Sequence, residues 1–290
     1  MSLPTTLLLG FIAGATIVLG LPIGRLRRPA PGLKLFLGAV TIGVLLFLVW
    51  DVLSAGWEPV DAALGAAHDH TGGLAPAFGY GALFMLGLAI GQFALVGYDR
   101  HLRRSRPPAG RLGPGAMSVD ERPYRATGIA SWSPARRLAL MIAVGIGLHN
   151  FAEGLAIGQS SASGEVSLAV VLVIGFALHN ATEGFGIVSP LAGDLDRDGV
   201  PIRPSWAFLL TLALIGGGPT FVGTVIGRGF TSDALSVIFL SLAAGSIIYV
   251  ICQLLGVAAR AKRPELLACG VLVGLFAGFL TDAIVTVAGV

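Results

Sequence analysis

Long apolar stretches, each about the length of a helix that crosses a bilayer, dominate this chain. A membrane-spanning helix needs about 20 mostly apolar residues, and eight segments reach that length with few charges inside them. They cover residues 3–23, 34–56, 75–98, 138–160, 167–189, 205–227, 235–258 and 265–288. The pattern predicts an all-α membrane protein, an eight-transmembrane-helix bundle in which residues 1–290 form a single transmembrane domain.

The composition agrees with a lipid-facing exterior. Apolar residues make up 54% of the chain and charged residues only 12%, whereas soluble domains carry about 25% charged residues. This balance excludes a soluble enzyme, a disordered protein and a secreted disulfide scaffold. The two cysteines, Cys252 and Cys269, lie in separate apolar segments, which indicates membrane-buried thiols.

The basic residues indicate the topology. All Lys and Arg residues except Arg228 fall after span 1 or between spans 3 and 4, 5 and 6, or 7 and 8. Because basic loops stay in the cytoplasm, both termini are predicted to be extracytoplasmic, in the plasma (cytoplasmic) membrane. Residues 99–137 are predicted to form a flexible basic cytoplasmic loop. The basic residues behind the net charge of +3 lie in these membrane-flanking loops. We therefore expect membrane lipid as a partner and no nucleic acid.

Spans 4 and 5 each contain the same polar hexad, His-Asn-x-x-Glu-Gly, at residues 149–154 and 179–184. Ionisable residues inside a span are costly and mark functional sites. In each hexad His and Glu are four residues apart, so they share one helix face. The short connection predicts antiparallel helices, which places both histidines at the same depth, near the midplane. The two helices therefore present His and Glu in opposite order across the membrane. Such an inverted arrangement at a midplane site is typical of transporters.

These side chains suit a metal ion. Two imidazoles and two carboxylates are the ligands of borderline divalent ions such as Zn²⁺, Fe²⁺, Mn²⁺ or Cd²⁺. The two asparagines add amide oxygens as weak or supporting ligands. The alternative is a pair of His–Glu contacts that only join the helices. The candidate metal ligands in the hexads are His149, Glu153, His179, Glu183, Asn150 and Asn180.

Four other polar residues lie in or near spans. Asp51, toward the outer end of span 2, is a candidate auxiliary metal ligand or gate, or else a buried, hydrogen-bonded acid. Gln92, Gln253 and Asp282 are interpreted as packing or polar lining.

Two loop segments also have ligand-type residues. His68 and His70 in the outer loop form a short tract that could gather metal. Residues 194–199, Asp-Leu-Asp-Arg-Asp-Gly, match the start of a calcium-binding loop, but Ser205 stands where that loop needs Glu.

Glycine pairs four residues apart predict close helix packing, since small residues let helices approach in lipid. In span 6, Gly216–Pro219 is predicted to loosen the helix, because irregular backbone is tolerated beside a protein-lined cavity. We therefore expect span 6 to pack beside the metal site. The pairs are Gly10/Gly14, Gly20/Gly24, Gly87/Gly91, Gly154/Gly158, Gly223/Gly227 and Gly274/Gly278.

The two hexads, the eight spans and the basic loop between spans 3 and 4 resemble the ZIP (Zrt-, Irt-like protein) family of divalent metal transporters, in its prokaryotic type. The family pattern is approximately His-Asn-x-Pro-Glu-Gly in span 4 and a polar pair followed by Glu-Gly in span 5. Ala152 and Thr182 stand at the proline positions. The resemblance implies import toward the cytoplasm, a homodimer, and an elevator-like motion of spans 1, 4, 5 and 6 against spans 2, 3, 7 and 8.

The chain departs from the family at three positions. Gly218 stands where two-metal members have Glu before a proline, Gln253-Leu254 replaces a His-Glu pair, and Asp51 occupies the place of a histidine. These departures predict one metal site and the loss of the secondary one.

The leading hypothesis is therefore uptake of divalent transition metals, with Zn²⁺ as the transported substrate rather than a resident cofactor. One alternative is a membrane metal sensor or scaffold that does not transport. A second is a membrane-embedded zinc hydrolase, disfavoured because His-Asn-x-x-Glu lacks the two histidines and general base of His-Glu-x-x-His. The protein is predicted not to be an enzyme.

Overall fold

The computed structural model describes residues 1–26, 31–104, 128–162, 166–195, 200, 202–229 and 232–287. Within these residues the regular structure is helical, and no strand is present. The eight α-helices coincide with the eight predicted segments, with ends that differ by a few residues in most cases. They are α1 (Leu3–Ala15), α2 (Pro31–His68), α3 (Ala75–Arg104), α4 (Pro134–Ala162), α5 (Val166–Val188), α6 (Trp206–Gly227), α7 (Asp233–Ala259) and α8 (Pro264–Val287).

Seven segments in the described part of the chain are long and apolar enough to cross a membrane, by length and composition. They contain every α-helix except α5. In the first of them, α1 is followed by a 3₁₀ helix over Thr16–Arg25, and together the two cover Leu3–Arg25. The protein is thus an all-helical, multi-pass membrane protein.

Helices α2, α3 and α4 extend by several residues beyond their predicted spans. Helix α2 continues to His68, twelve residues past the predicted end at residue 56. Helix α3 continues to Arg104 and α4 begins at Pro134, so both ends of the segment predicted as a loop over 99–137 are helical. Residues 105–127, the centre of that predicted loop, lie outside the described residues.

The helices pack as two groups. Helix α6 packs most extensively on α4 and also on α1, while the 3₁₀ helix packs on α5. In the second group α8 packs on α2, and α3 packs on α7. The groups meet mainly where α4 contacts α7 and where α2 contacts α5.

Glycines allow the backbones to touch inside each group, which confirms the predicted role of the glycine pairs. A Cβ atom added to Gly158 of α4 would lie 2.9 Å from Gly227 Cα of α6. One added to Gly274 of α8 would lie 2.8 Å from Gly43 Cα of α2. Such distances are too short for a side chain, so these helix pairs depend on glycine for their separation.

The prediction that Gly216–Pro219 loosens span 6 is wrong. Helix α6 is α-helical from Trp206 to Gly227 with Pro219 inside it. A proline removes one helical hydrogen bond, and groups on neighbouring helices can satisfy the freed carbonyls. The irregular backbone occurs instead at Thr16–Arg25, a ten-residue 3₁₀ helix around Pro22, which is long for that helix type.

Candidate metal centre

Helices α4 and α5 bring three predicted ligands into one cluster. The ligand atoms of His149, Glu153 and His179 all lie within 4.8 Å of one another. His149 Nε2 is 2.8 Å from Glu153 Oε1, and His179 Nε2 contacts the same oxygen. Glu153 therefore joins both imidazoles, whose ring centroids are 6.1 Å apart. The predicted meeting of the two hexads is present in the structure.

The three side chains of the cluster are largely buried, and some of their polar atoms are unpaired. His149 is 1% exposed and Glu153 is 5% exposed, while the side chain of His179 is 12% exposed. His149 Nδ1 and Glu153 Oε2 are buried without a hydrogen-bond partner in the described structure. Buried polar atoms normally have a hydrogen-bond partner, so the unpaired Oε2 of Glu153 is an exception that leaves one carboxylate oxygen available to coordinate an ion.

Glu183, the fourth predicted ligand, lies beside the cluster and outside the set of three. Its Oε1 is 3.9 Å from His149 Nε2 and has no hydrogen-bond partner among the described residues. The Asn150 amide nitrogen donates to Glu183 Oε2 over 3.2 Å. Glu183 is fully buried, so its carboxyl group lies next to the cluster without being one of the three converging groups.

The two asparagines tie the hexads to other helices. The Asn150 amide nitrogen also donates to the Gly216 carbonyl of α6 over 2.9 Å. The Asn180 amide nitrogen donates to the Ala13 carbonyl, near the end of α1, over 3.0 Å. In the described structure both Oδ1 atoms are buried and unpaired, so the amides position the centre while their oxygens stay free for the predicted supporting role.

This arrangement also confirms that α6 packs beside the centre. The sequence did not identify the carbonyls of Gly216 and Ala13, because a backbone atom carries no residue signature. Pro219 was an indication nearby, since it has no N–H group to donate to the carbonyl of Ile215, the residue before Gly216.

Replacing Asn180 with alanine tests its structural role without metal. The substitution leaves the buried Ala13 carbonyl without this donor, and we expect a loss of about 1–2 kcal/mol in the free energy of unfolding. Thermal unfolding of metal-free protein in detergent measures the change. If the metal-free variant is as stable as the wild type, Asn180 does not tie α5 to α1.

The remaining predicted residues lie outside the cluster. Asp51 is exposed rather than buried and is not part of the cluster. His68 and His70 are exposed at the end of α2.

Asp194 is buried and forms an ion pair with Arg136 at 3.1 Å. Its carboxylate is thus already engaged, which argues against the calcium-loop interpretation. Asp196 and Asp198 lie outside the described residues.

Comparison with known families decides the class of protein. A family model described as ZIP zinc transporter matches residues 120–286, more than half of the chain and all of both hexads. The chain belongs to the ZIP family. Members of this family are divalent metal transporters and not enzymes, which confirms the predicted class and removes the zinc-hydrolase alternative. No curated protein matches the chain significantly.

The match includes both hexads and thus the cluster of His149, Glu153 and His179. ZIP membership makes a divalent metal ion the transported substrate and the membrane the site of action. Asp51 lies outside the matched residues, so the family match does not bear on its role.

Proposed function

We propose that this ZIP protein imports divalent transition-metal ions through a midplane centre on α4 and α5, with Zn²⁺ as its substrate. Fe²⁺, Mn²⁺ and Cd²⁺ are further ions that the same ligand types accept. The observation that carries the proposal is the buried group of His149, Glu153 and His179, whose ligand atoms lie within 4.8 Å of one another.

The donor set supports a site that binds and releases. Imidazole nitrogens and a carboxylate are the usual protein ligands of zinc, which takes four ligands in tetrahedral geometry. The cluster supplies three, and a fourth position open to water or to Glu183 keeps the ion exchangeable. Because the ligands must be deprotonated, metal binding competes with protons, so acid conditions favour release.

The contact between the hexads also supports eight crossings. His179 of α5 contacts Glu153, in the middle of α4, which is itself long and apolar enough to span a membrane. Helix α5 therefore lies at the same depth as α4. With eight spans and the basic residues on the inner side, both termini lie outside the plasma membrane.

Uptake requires the centre to face each side of the membrane in turn, and the two helix groups provide the moving parts of our proposal. Glycine contacts hold α4 against α6. Between the groups, the Thr41 hydroxyl donates to the Thr182 carbonyl over 2.8 Å, and the Ser246 hydroxyl donates to the Gly145 carbonyl over 2.9 Å. We propose that α1, α4, α5 and α6 move together against the other four helices, in a homodimer.

A single metal centre is part of the proposal. Gly218 has no side chain to offer at the position where two-metal members have a glutamate. Glu183 Oε1 lies 3.9 Å from His149 Nε2, but the glycine at position 218 leaves one acid fewer for a second ion.

Influx of Zn²⁺ and Cd²⁺ into sealed proteoliposomes tests the function. We expect saturable influx in vesicles with the wild-type protein and none in protein-free vesicles. Tight metal binding by the purified protein without influx would contradict transport and favour the alternative, a membrane metal sensor or scaffold.

A further inference from the structure

Helices α1 and α6, which pack together in one helix group, leave a long groove open to the membrane. The groove has a volume of about 840 Å³, and its lining residues in the described structure are apolar or glycine. Along α6 it extends from Leu210 to Val222, which is about 18 Å of helix. Half of a bilayer core is about 15 Å thick, so the groove has the length of one lipid acyl chain.

Glycines bring the two backbones together beneath the groove. A Cβ atom added to Gly217 of α6 would lie 3.0 Å from the carbonyl carbon of Gly14 of α1. The side chains of Phe11 and Leu214 also line the groove, and they are 59% and 71% exposed. Protein side chains therefore leave this space unfilled, and in a bilayer a flexible hydrocarbon chain is the group that can fill it.

One end of the groove has a basic and aromatic rim. Trp206, one turn before Leu210, begins α6 and is 48% exposed. Arg25 ends the 3₁₀ helix that follows α1. Its guanidinium carbon is 4.9 Å from the centroid of the Trp206 ring, and its Nη1 donates to the Pro204 carbonyl over 2.6 Å. Arg203 is exposed and has no hydrogen bond or ion pair with a described residue.

The charge on this rim indicates which lipid fits. In the topology proposed above, the rim faces the cytoplasm, where the leaflet is rich in anionic lipids. Tryptophan favours the membrane–water boundary, and arginine binds phosphate through paired N–H groups. Beyond the other end of the groove, Arg228 already donates to the Thr6 hydroxyl over 2.7 Å. The free positive charge is therefore at the cytoplasmic end.

We propose that the groove binds one anionic phospholipid of the cytoplasmic leaflet. An acyl chain lies between α1 and α6, and the phosphate pairs with Arg25 and Arg203. Both helices belong to the group that moves in the proposed uptake, so the lipid moves with that group and keeps its groove covered. Anionic lipid therefore speeds uptake. This effect on uptake rests on the proposed function, whereas the binding of the lipid does not.

Native mass spectrometry of the purified protein with added phosphatidylglycerol tests whether the groove binds lipid. In Gly218→Leu the new side chain enters the groove, and a Cβ atom there meets only the flexible Leu214 side chain, at 3.3 Å. We expect this variant to lose the bound lipid. Gly97→Leu in α3, where nothing lies within 4 Å of an added Cβ atom, is the matched control and should retain it.

A charge variant tests the headgroup independently of the groove. Arg203→Gln should weaken phosphatidylglycerol binding about fivefold, because one basic residue near the membrane surface contributes about 1 kcal/mol. Binding of phosphatidylcholine with the same acyl chains should not change. Arg260→Gln, at an exposed residue that follows α7, is its control and should bind both lipids as the wild type does.

Two results would overturn the inference. If Gly218→Leu and Arg203→Gln both bind phosphatidylglycerol as the wild type does, the lipid does not lie in the groove. If the wild type binds no lipid and Gly218→Leu converts a dimer into monomers, the groove is a contact between two copies of the chain.

Zinc influx tests the effect of the lipid on uptake. We expect a higher maximal rate in vesicles of phosphatidylcholine with phosphatidylglycerol than in phosphatidylcholine alone, and loss of this difference in Gly218→Leu. Anionic vesicles also concentrate Zn²⁺ at their surface, but that lowers the half-maximal concentration rather than raising the maximal rate. Equal maximal rates in both vesicles would overturn the effect on uptake. If the wild type does not transport at all, the proposed function fails, and the mass spectra still decide whether the groove binds the lipid.

Discussion

Zinc influx should fall by at least about a hundredfold when Glu153 is replaced with alanine. Changes to groups that only support metal ligands already cost about 10–100-fold in affinity or activity, and Glu153 contacts both imidazoles of the cluster. Its removal leaves two histidines with no shared carboxylate in a buried site. His179→Ala should have a similar effect, because it removes one of three converging ligands. Proteoliposome influx measures both.

The control for this prediction is Glu265→Ala, which makes the same substitution at an exposed residue in the first turn of α8. It should transport zinc as the wild type does. Glu153→Gln adds a second test, since the amide keeps the size of the side chain and removes its charge. Saturable influx through Glu153→Ala at the wild-type rate would show that the hexads do not carry the ion.

The second large effect is expected at Gly154, where α4 crosses α6. A Cβ atom added there would overlap the Thr220 carbonyl oxygen and lie 2.9 Å from Thr224 N, both backbone atoms of α6. Backbone cannot rotate away as a side chain can, so the helices must separate. Gly154→Ala should lower the free energy of unfolding by about 1–3 kcal/mol. Because Gly154 follows Glu153, zinc influx should fall as well.

Gly97→Ala in α3 is the matched control, since nothing lies within 4 Å of a Cβ atom added at that position. Alanine is the better helix former by about 1 kcal/mol, so this variant should be as stable as the wild type or more stable. Thermal unfolding in detergent compares the two variants. Equal unfolding temperatures for both would show that the α4–α6 crossing does not depend on glycine.

Much of the centre could be predicted from the hexads, because helical spacing is a local property. His149 and Glu153 are four positions apart, which places them on one face of any α-helix, and the short α4–α5 connection places both histidines at the same depth. The position of Glu183 outside the cluster could not be predicted. It depends on how far each helix is rotated about its axis, which the packing against α1, α2 and α6 decides.

The same dependence on packing between helices explains why the predicted loosening of α6 was wrong. Gly216–Pro219 looked like a break because glycine and proline disfavour helices in isolation. In the protein, α6 is packed against α1 and α4, and the Asn150 amide donates to the Gly216 carbonyl. These contacts join residues far apart in the chain, so no local pattern contains them.

The sequence by itself determined the membrane class, the positions of the helices and the two hexads that mark the centre. These follow from hydropathy and helical period, which act over one or two turns. Only the tertiary structure decided that the two imidazoles converge on Glu153, that the asparagine amides donate to backbone carbonyls of other helices, and that Glu183 lies outside the cluster. Those outcomes depend on the register and rotation of helices remote in sequence, which are set by glycine contacts between their backbones.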